Sequence, residues 1–201
     1  MLTLIERVTQ ELRLDYFVTG AMARDVLLYH VFGLETGRAT LDVDLAVAVD
    51  SWPEFERIKM RLVETGAVIT DETRPHRLFY RATSDAGRYP LDLLPFGGLE
   101  QRPSEIAWPP DLSVVMNVAG YREALAAAEQ VELRVGLVVR VASLPSLAIL
   151  KLFARPGPIA DGTTPETRSI SGSCCIRMAK QVTRIASTVT RCRFLRQSGT
   201  T

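Results

Sequence analysis

The stretch Thr40-Leu-Asp-Val-Asp-Leu-Ala-Val-Ala-Val49 decides the fold of this chain. Its alternation predicts a β-strand in which Asp42 and Asp44 lie on the same face, about 7 Å apart. Aspartate is disfavoured in strands, so two carboxylates in an apolar strand need compensation. A divalent cation bound between them would provide that compensation.

The two faces of this predicted strand differ in size and polarity. One face is apolar, and we expect it to be core: Leu41, Val43, Leu45, Val47 and Val49. The face that carries the two acids continues with Ala46 and Ala48. These side chains are small, so they leave room beside the carboxylates.

The size and composition of the chain are those of an ordinary globular protein. It has 201 residues, of which 47% are hydrophobic, and a net charge of +1. That length supports one good core with at most a small accessory element. The N-terminus lacks the apolar region of a signal peptide, and no stretch reaches the roughly 18 apolar residues that span a bilayer. We therefore expect a cytoplasmic protein with no membrane contact.

The last 47 or so residues differ in kind from the rest. Residues 1–154 carry 16 Lys and Arg against 21 Asp and Glu, whereas residues 155–201 carry 8 against 2. The segment Arg155-Pro-Gly-Pro158 breaks the preceding helical pattern. All three cysteines lie beyond it, and no pair has the spacing of a zinc site or a redox motif. We predict a domain over 1–154 and a poorly ordered basic tail, rich in Ser and Thr, over 155–201. The alternative is that the tail comes from an altered reading frame, because the composition changes inside a helix that should continue.

Hydrophobic periodicity predicts an α/β protein of the α+β type, with a mixed central sheet covered by helices on one main side. The expected helices cover residues 3–12, 22–32, 52–64, 121–130 and 143–154. The expected strands cover residues 16–18, 40–49, 67–70, 77–82 and 89–96, with a hairpin over 131–141 that turns at Gly136. Because Pro90 and Pro95 bound the strand at 89–96, we expect it to be short or at a sheet edge. We interpret His30 as a core or boundary residue, and Trp52 and Trp108 as packing anchors.

Three features point to one chemistry. Thr19-Gly20-Ala21 lies between a strand and a helix, where a glycine turn directs free backbone N–H groups towards a phosphate. The Asp42 and Asp44 pair suits Mg²⁺, which proteins hold through one or two carboxylates together with substrate phosphates. Asp92 is a further acid inside the apolar strand Tyr89-Pro-Leu-Asp-Leu-Leu-Pro-Phe96. Each has a plain structural alternative: a simple turn, an exposed strand edge and a paired structural carboxylate.

Taken together, these motifs resemble the nucleotidyltransferase superfamily of the DNA polymerase β type. The order is Gly-x-x-x-Arg-Asp, then Asp-x-Asp, then a lone Asp on a later strand. Within the superfamily, the chain looks most like the AbiEii-like abortive-infection toxins over about residues 5–154. That resemblance is carried by Gly20-Ala-Met-Ala-Arg-Asp25, Arg38-Ala-Thr-Leu-Asp-Val-Asp44, Leu91-Asp92 and Leu147-Ala-Ile-Leu-Lys151-Leu-Phe-Ala.

The resemblance implies catalysis with two Mg²⁺ ions and a nucleoside triphosphate substrate. Asp42 and Asp44 would hold both metals, and Asp92 would complete the metal site nearest the acceptor and help to deprotonate its hydroxyl. The backbone at Gly20 and Ala21 would approach the triphosphate. Basic side chains would neutralise the phosphates: Arg24, Arg38 and Lys151.

The resemblance also implies a hydroxyl acceptor and a partner. The acceptor would be a tRNA end or a protein side chain, with an aminoglycoside-type small molecule as a further option, and the partner would be an antitoxin protein. The alternative is a catalytically impaired or truncated homologue that acts as a nucleotide-binding or regulatory module.

Several features of the chain leave these roles open. Arg24 could simply pair with Asp25, Arg38 could be solvated, and Lys151 could lie on the exposed edge of an amphipathic helix. Ala21 replaces the Ser or Gly of many superfamily members, so a hydroxyl contact to phosphate is lost. The tail stands where related toxins continue into a helical domain.

Overall fold

The computed structural model describes residues 1–34, 40–82 and 87–154. Arg38 and the whole tail, residues 155–201, lie outside the described residues, and so do the predictions made for them. The helices are α1 (Leu2–Leu12), α2 (Gly20–Val26), which continues as a π-helical turn over Leu27–Val31, α3 (Trp52–Glu64), α4 (Tyr121–Ala126) and α5 (Leu144–Phe153). The strands are β1 (Tyr16–Thr19), β2 (Val43–Val49), β3 (Val68–Thr70), β4 (Arg77–Arg81), β5 (Arg88–Gly97), β6 (Glu105–Ala107), β7 (Val115–Asn117), β8 (Glu129–Arg134) and β9 (Leu137–Val141).

Seven strands form one mixed sheet in the order β3-β4-β5-β2-β1-β9-β8. β2 runs parallel to β5 and β1 runs parallel to β9, whereas the other neighbouring pairs are antiparallel. A small separate hairpin pairs β6 with β7, and its strands were not predicted. The mixed α/β architecture expected from the sequence is therefore confirmed.

Helices cover both faces of the sheet, so the expectation of one main side is wrong. Tyr16 and Phe17 are successive strand residues and point to opposite faces. The Tyr16 hydroxyl donates to the Glu6 carboxylate of α1. Phe17 packs against Tyr121 of α4, with 6.2 Å between ring centroids. The central strands are consequently buried on both sides, which explains why Ala46 is fully buried.

Local signals placed α3 correctly. Ser51 caps the helix by accepting from the Glu54 backbone N–H, and a proline follows in the first turn. The buried residues Phe55, Ile58 and Leu62 recur at helical spacing. Trp52 and Trp108 pack with their ring centroids 5.1 Å apart, which confirms that they are packing anchors. Among the described residues, no helix is long and apolar enough to cross a membrane.

β5 is ten residues long and lies inside the sheet, so the prediction of a short or edge strand is wrong. The Leu93 N–H donates to the His76 carbonyl at 2.8 Å, and successive strand N–H groups alternate in direction. The Pro95 nitrogen therefore faces the β4 side, where pairing with β4 has ended. The Pro90 nitrogen faces the β2 side, before pairing with β2 begins. Neither proline removes a hydrogen bond that the sheet would make.

Three other expectations are corrected. The helix predicted over 121–130 ends at Ala126, because pairing of Glu129 with Val141 takes the following residues into β8. β2 begins at Val43, so Asp42 precedes the strand and Leu41 is 61% exposed rather than in the core. His30, which was expected to be a core or boundary residue, is exposed.

Candidate active site

The sheet register brings a row of polar side chains together at one level of four strands. Asp44 of β2 is paired with Thr19 of β1 on one side and with Asp92 of β5 on the other. Asp92 is in turn paired with Arg77 of β4. Paired residues on neighbouring strands project on the same face of a sheet, so these four side chains share one face. We call Arg77, Asp92, Asp44 and Thr19 the site row.

Gly20 lies directly against the Asp44 carboxylate. It has φ +66°, and a Cβ atom built on it would lie 1.9 Å from Asp44 Oδ2. No side chain fits at that distance, and the left-handed backbone also favours glycine. Asp44 therefore lies beside the Gly20 turn, with Asp92 on the next strand, on the other side of Asp44.

The site row carries uncompensated negative charge. Burial raises the pKa of Asp44 to about 6, with further contributions from the neighbouring carboxylates of Asp92 and Asp42, and Arg77 opposes the shift. The Asp44 carboxylate accepts no hydrogen bond and forms no ion pair within the described part of the chain. A cation bound beside Asp44 would offset this repulsion and favour the ionised carboxylate.

This raised pKa predicts a pH-dependent stability. The pKa of Asp44 is 3.8 in the unfolded protein and about 6 in the folded protein. Because the ionised form is less favourable in the folded protein, the free energy of unfolding falls as the pH rises from 3.8 to about 6. Relative to wild type, metal-free Asp44→Asn is expected to gain up to about 3 kcal/mol in free energy of unfolding between about pH 4 and pH 7. Denaturant unfolding in a chelator measures this difference.

Asp50→Asn provides the control for that measurement, because Asp50 is exposed and follows the far end of β2. Its stability relative to wild type is expected to stay nearly constant with pH. A pH-independent difference for Asp44→Asn would contradict the prediction.

Asp92 is held by an arginine that sequence reasoning missed. Arg77 Nε donates to Asp92 Oδ1 at 2.7 Å, and Arg77 Nη2 donates to Asp92 Oδ2 at 2.6 Å. The ion pair is mostly shielded, with 13% of the Asp92 side chain exposed. The contact with Asp92 raises the pKa of Arg77. This pair follows from the register of β4 against β5, which cannot be determined from the sequence alone.

Tyr121 is a second residue that the sequence did not indicate. It begins α4, and its ring packs on Phe17 and Phe96, with centroids 6.2 Å and 5.6 Å away. Burial, and after it the charge of Asp44, raises the pKa of Tyr121 to about 12. An aromatic floor (Phe17, Phe96 and Tyr121) therefore adjoins the site row on the face that carries Asp44.

The basic residues expected to bind phosphate are not gathered at the site row. Arg24 donates through Nε and Nη2 to Asp25 Oδ1, at 2.9 Å and 2.7 Å, so it adopts the simple pairing with Asp25. Asp25 also accepts from the Thr40 hydroxyl at 2.5 Å, which ties the chain before Asp42 to α2. Lys151 is exposed on α5 and has no ion pair with any described residue. Ala21 follows Gly20 in the first turn of α2.

The donor set of the site row suits a hard divalent cation, since it consists of carboxylate oxygens. Asp44 meets this requirement best, because it faces two like charges and has no hydrogen-bonding partner among the described residues. Over residues 1–34, 40–82 and 87–154, however, no group of three or more His, Cys, Asp or Glu side chains is arranged to hold a metal. Arg77 engages both oxygens of Asp92, so the third carboxylate is oriented by a protein cation.

Most of this chain matches one known protein family. Residues 4–166 match the family described as nucleotidyl transferase AbiEii toxin of type IV toxin-antitoxin systems, so the protein is a nucleotidyltransferase. Specifically, the chain belongs to the AbiEii toxin family, as its motifs predicted. No curated protein matches the chain.

Two solved structures of the antibiotic-resistance factor ANT(2'')-Ia are similar to the chain. The solution structure is 21% identical with a TM-score of 0.43, and the match covers 98% of this chain and 95% of that one. The crystal structure in complex with adenylyl-2''-tobramycin is 22% identical with a TM-score of 0.43, and the match covers 96% and 98%.

Proposed function

We propose that this protein transfers a nucleotidyl group from a nucleoside triphosphate to a hydroxyl acceptor, with Mg²⁺ held by Asp42, Asp44 and Asp92. The observation that carries the proposal is the close approach of Gly20 to the Asp44 carboxylate, in register with Asp92. A phosphate chain lying over Gly20 would have its oxygens beside Asp44, where a shared cation offsets the charge of both.

Each carboxylate has a distinct task in this reaction. Asp42 and Asp44 would hold two Mg²⁺ ions, whose charge would stabilise the attacking and leaving oxygens of an in-line displacement. Asp92 would complete the metal site nearest the acceptor and help to take the proton of the attacking hydroxyl. The new bond joins the acceptor oxygen to the α-phosphorus, and pyrophosphate leaves.

The phosphates would be bound by backbone and by cationic side chains. The N–H groups at Gly20 and Ala21 belong to the first turn of α2 and suit an anion. Arg24 is half exposed and would exchange its bond to Asp25 for a phosphate oxygen. Arg38 and Lys151 would supply further positive charge to the nucleotide.

Membership of a type IV toxin family supports a macromolecular acceptor and an antitoxin partner. We propose a hydroxyl on a tRNA end or on a protein side chain as the acceptor. The alternative function, a nucleotide-binding or regulatory module without turnover, is favoured because the described residues include no three acidic side chains arranged to hold a metal. Turnover by the isolated protein separates these two functions.

The deciding experiment measures Mg²⁺-dependent release of pyrophosphate from labelled nucleoside triphosphates, with separate tRNA and protein fractions as acceptors. We expect label in one fraction, and loss of that label by at least about 100-fold in Asp42→Ala, because a metal ligand is removed. Asp50→Asn is the matched control and should transfer at the wild-type rate. Undiminished transfer by Asp42→Ala would reject the assignment, whereas nucleotide binding without transfer would favour the regulatory module.

A further inference from the structure

Arg77 makes the only charge-neutralising contact in the site row as far as the described residues go. Its guanidinium engages both oxygens of Asp92 in a fork, at 2.7 Å and 2.6 Å. A bidentate arginine fixes the plane of a carboxylate as well as its position. The ion pair is largely shielded from solvent, since only 24% of the Arg77 side chain and 13% of the Asp92 side chain are exposed.

The backbone beneath this pair is also fixed. The Leu93 N–H donates to the His76 carbonyl at 2.8 Å, next to Arg77 in the chain. The Arg77 N–H donates to the Arg74 carbonyl at 3.0 Å. Arg77 is therefore fixed in register at the start of β4. Its guanidinium contacts Asp92 from the β4 side, whereas Asp44 lies on the opposite, β2 side of Asp92.

This geometry leaves Asp92 free to act on the side facing Asp44. An ionised carboxylate offers about four lone-pair sites on its two oxygens, and the fork uses two of them. The remaining sites stay available to a cation or to a hydroxyl proton. Without Arg77, two partly buried carboxylates on neighbouring strands would repel each other, and Asp92 would be free to rotate away.

We propose that Arg77 is a positioning residue for nucleotidyl transfer, which acts by holding Asp92 at a fixed orientation beside Asp44. This inference rests on the proposed function, because Asp92 is assigned there to the acceptor side of the reaction. Arg77 itself is committed to Asp92 and acts through it. Loss of Arg77 therefore affects the reaction of bound substrate more than the binding of the nucleotide.

The test is a double-mutant cycle on Arg77→Gln and Asp92→Asn, read by two measurements. The first is the melting temperature without metal or nucleotide. Arg77→Gln is expected to lower it because Asp92 is left unpaired beside Asp44, and addition of Asp92→Asn is expected to restore most of the loss. Arg140→Gln is the matched control, because Arg140 also forms an ion pair with an aspartate, Asp15, but outside the site row. Asp15 directly precedes β1, whereas Thr19 of the site row is at the other end of that strand.

The second measurement is the kinetics of transfer at saturating acceptor. Arg77→Gln is expected to lower kcat by about 100-fold, as misplacement of a reacting group does, with KM for the nucleotide changed by less than about 3-fold. Arg77→Lys should retain an intermediate rate, because it keeps the charge without the fork. The double variant should be no slower than Asp92→Asn alone.

Three outcomes would overturn the inference. A rise in KM with unchanged kcat would make Arg77 a nucleotide ligand, and a wild-type kcat in Arg77→Gln would remove any role. Additive losses in the double variant would show that Arg77 does not act through Asp92. If wild type transfers normally and any of these is seen, the inference alone fails. Absence of transfer by wild type overturns the proposed function, and the role of Arg77 falls with it.

Discussion

Replacement of Asp44 by asparagine is expected to lower nucleotidyl transfer by at least about 1,000-fold while making the metal-free protein more stable at neutral pH. The substitution removes a charge worth several kcal/mol of transition-state stabilisation through the metal. It also removes the carboxyl whose pKa is raised to about 6 by burial and by Asp92 and Asp42. Transfer assays and denaturant unfolding of the same preparation measure the two effects.

The opposite signs of these effects distinguish a functional carboxylate from a structural one. If the carboxylate stabilised the folded protein, its replacement would lower both the stability and the activity of the protein. Asp50→Asn, at the other end of β2, should change neither quantity appreciably. If Asp44→Asn kept more than about a tenth of the wild-type rate, Asp44 would not be a metal ligand in the reaction.

Replacement of Gly20 by alanine is expected to lower the rate of nucleotidyl transfer nearly as much as Asp44→Asn does. The new Cβ would lie 1.9 Å from Asp44 Oδ2 and 2.9 Å from Asp44 Cγ, so the carboxylate must move. The left-handed backbone at φ +66° adds a strain of about 1 kcal/mol for alanine. Steady-state transfer rates and melting temperatures check the prediction.

Gly33→Ala separates the steric effect from the backbone strain. Gly33 has φ +64°, close to that of Gly20, but a Cβ there meets nothing within 4 Å. Gly33→Ala should therefore lose only the stability that backbone strain costs, about 1 kcal/mol, and keep its activity. Equal loss of activity in both variants would show that strain, and not displacement of Asp44, causes the defect. In an Asp44→Asn background, Gly20→Ala should cause little further loss of rate.

The outline of the fold could be predicted because most of its elements carry local signals. The helix at Trp52–Glu64 has a serine cap, an early proline and a regular apolar stripe, and its predicted bounds were correct. The order of elements from α1 to β5 was also predicted. The prediction of a helix over 121–130 was wrong in its second half. There, strand pairing outweighed the helix propensity of an alanine-rich run.

The site could be predicted only as an inventory of residue types. Asp42, Asp44, Asp92 and Gly20 attract notice because carboxylates in apolar strands and a glycine before a helix are locally unusual. Arg77 and Tyr121 carry no such signal, since an arginine at the start of a strand and a tyrosine at the start of a helix are ordinary. The roles proposed for Arg38 and Lys151 stay predictions, as do those of the acidic residues.

The sequence by itself determined which groups are available: two acids two residues apart, a third acid on a later strand, and a glycine turn between strand and helix. Side-chain periodicity is a local property, so it assigns faces and element types. The tertiary structure decided that Asp92 lies beside Asp44, that Gly20 touches the Asp44 carboxylate, and that Arg77 holds Asp92. Those contacts join residues far apart in the chain, and only the pairing of whole strands selects among the registers that local periodicity permits.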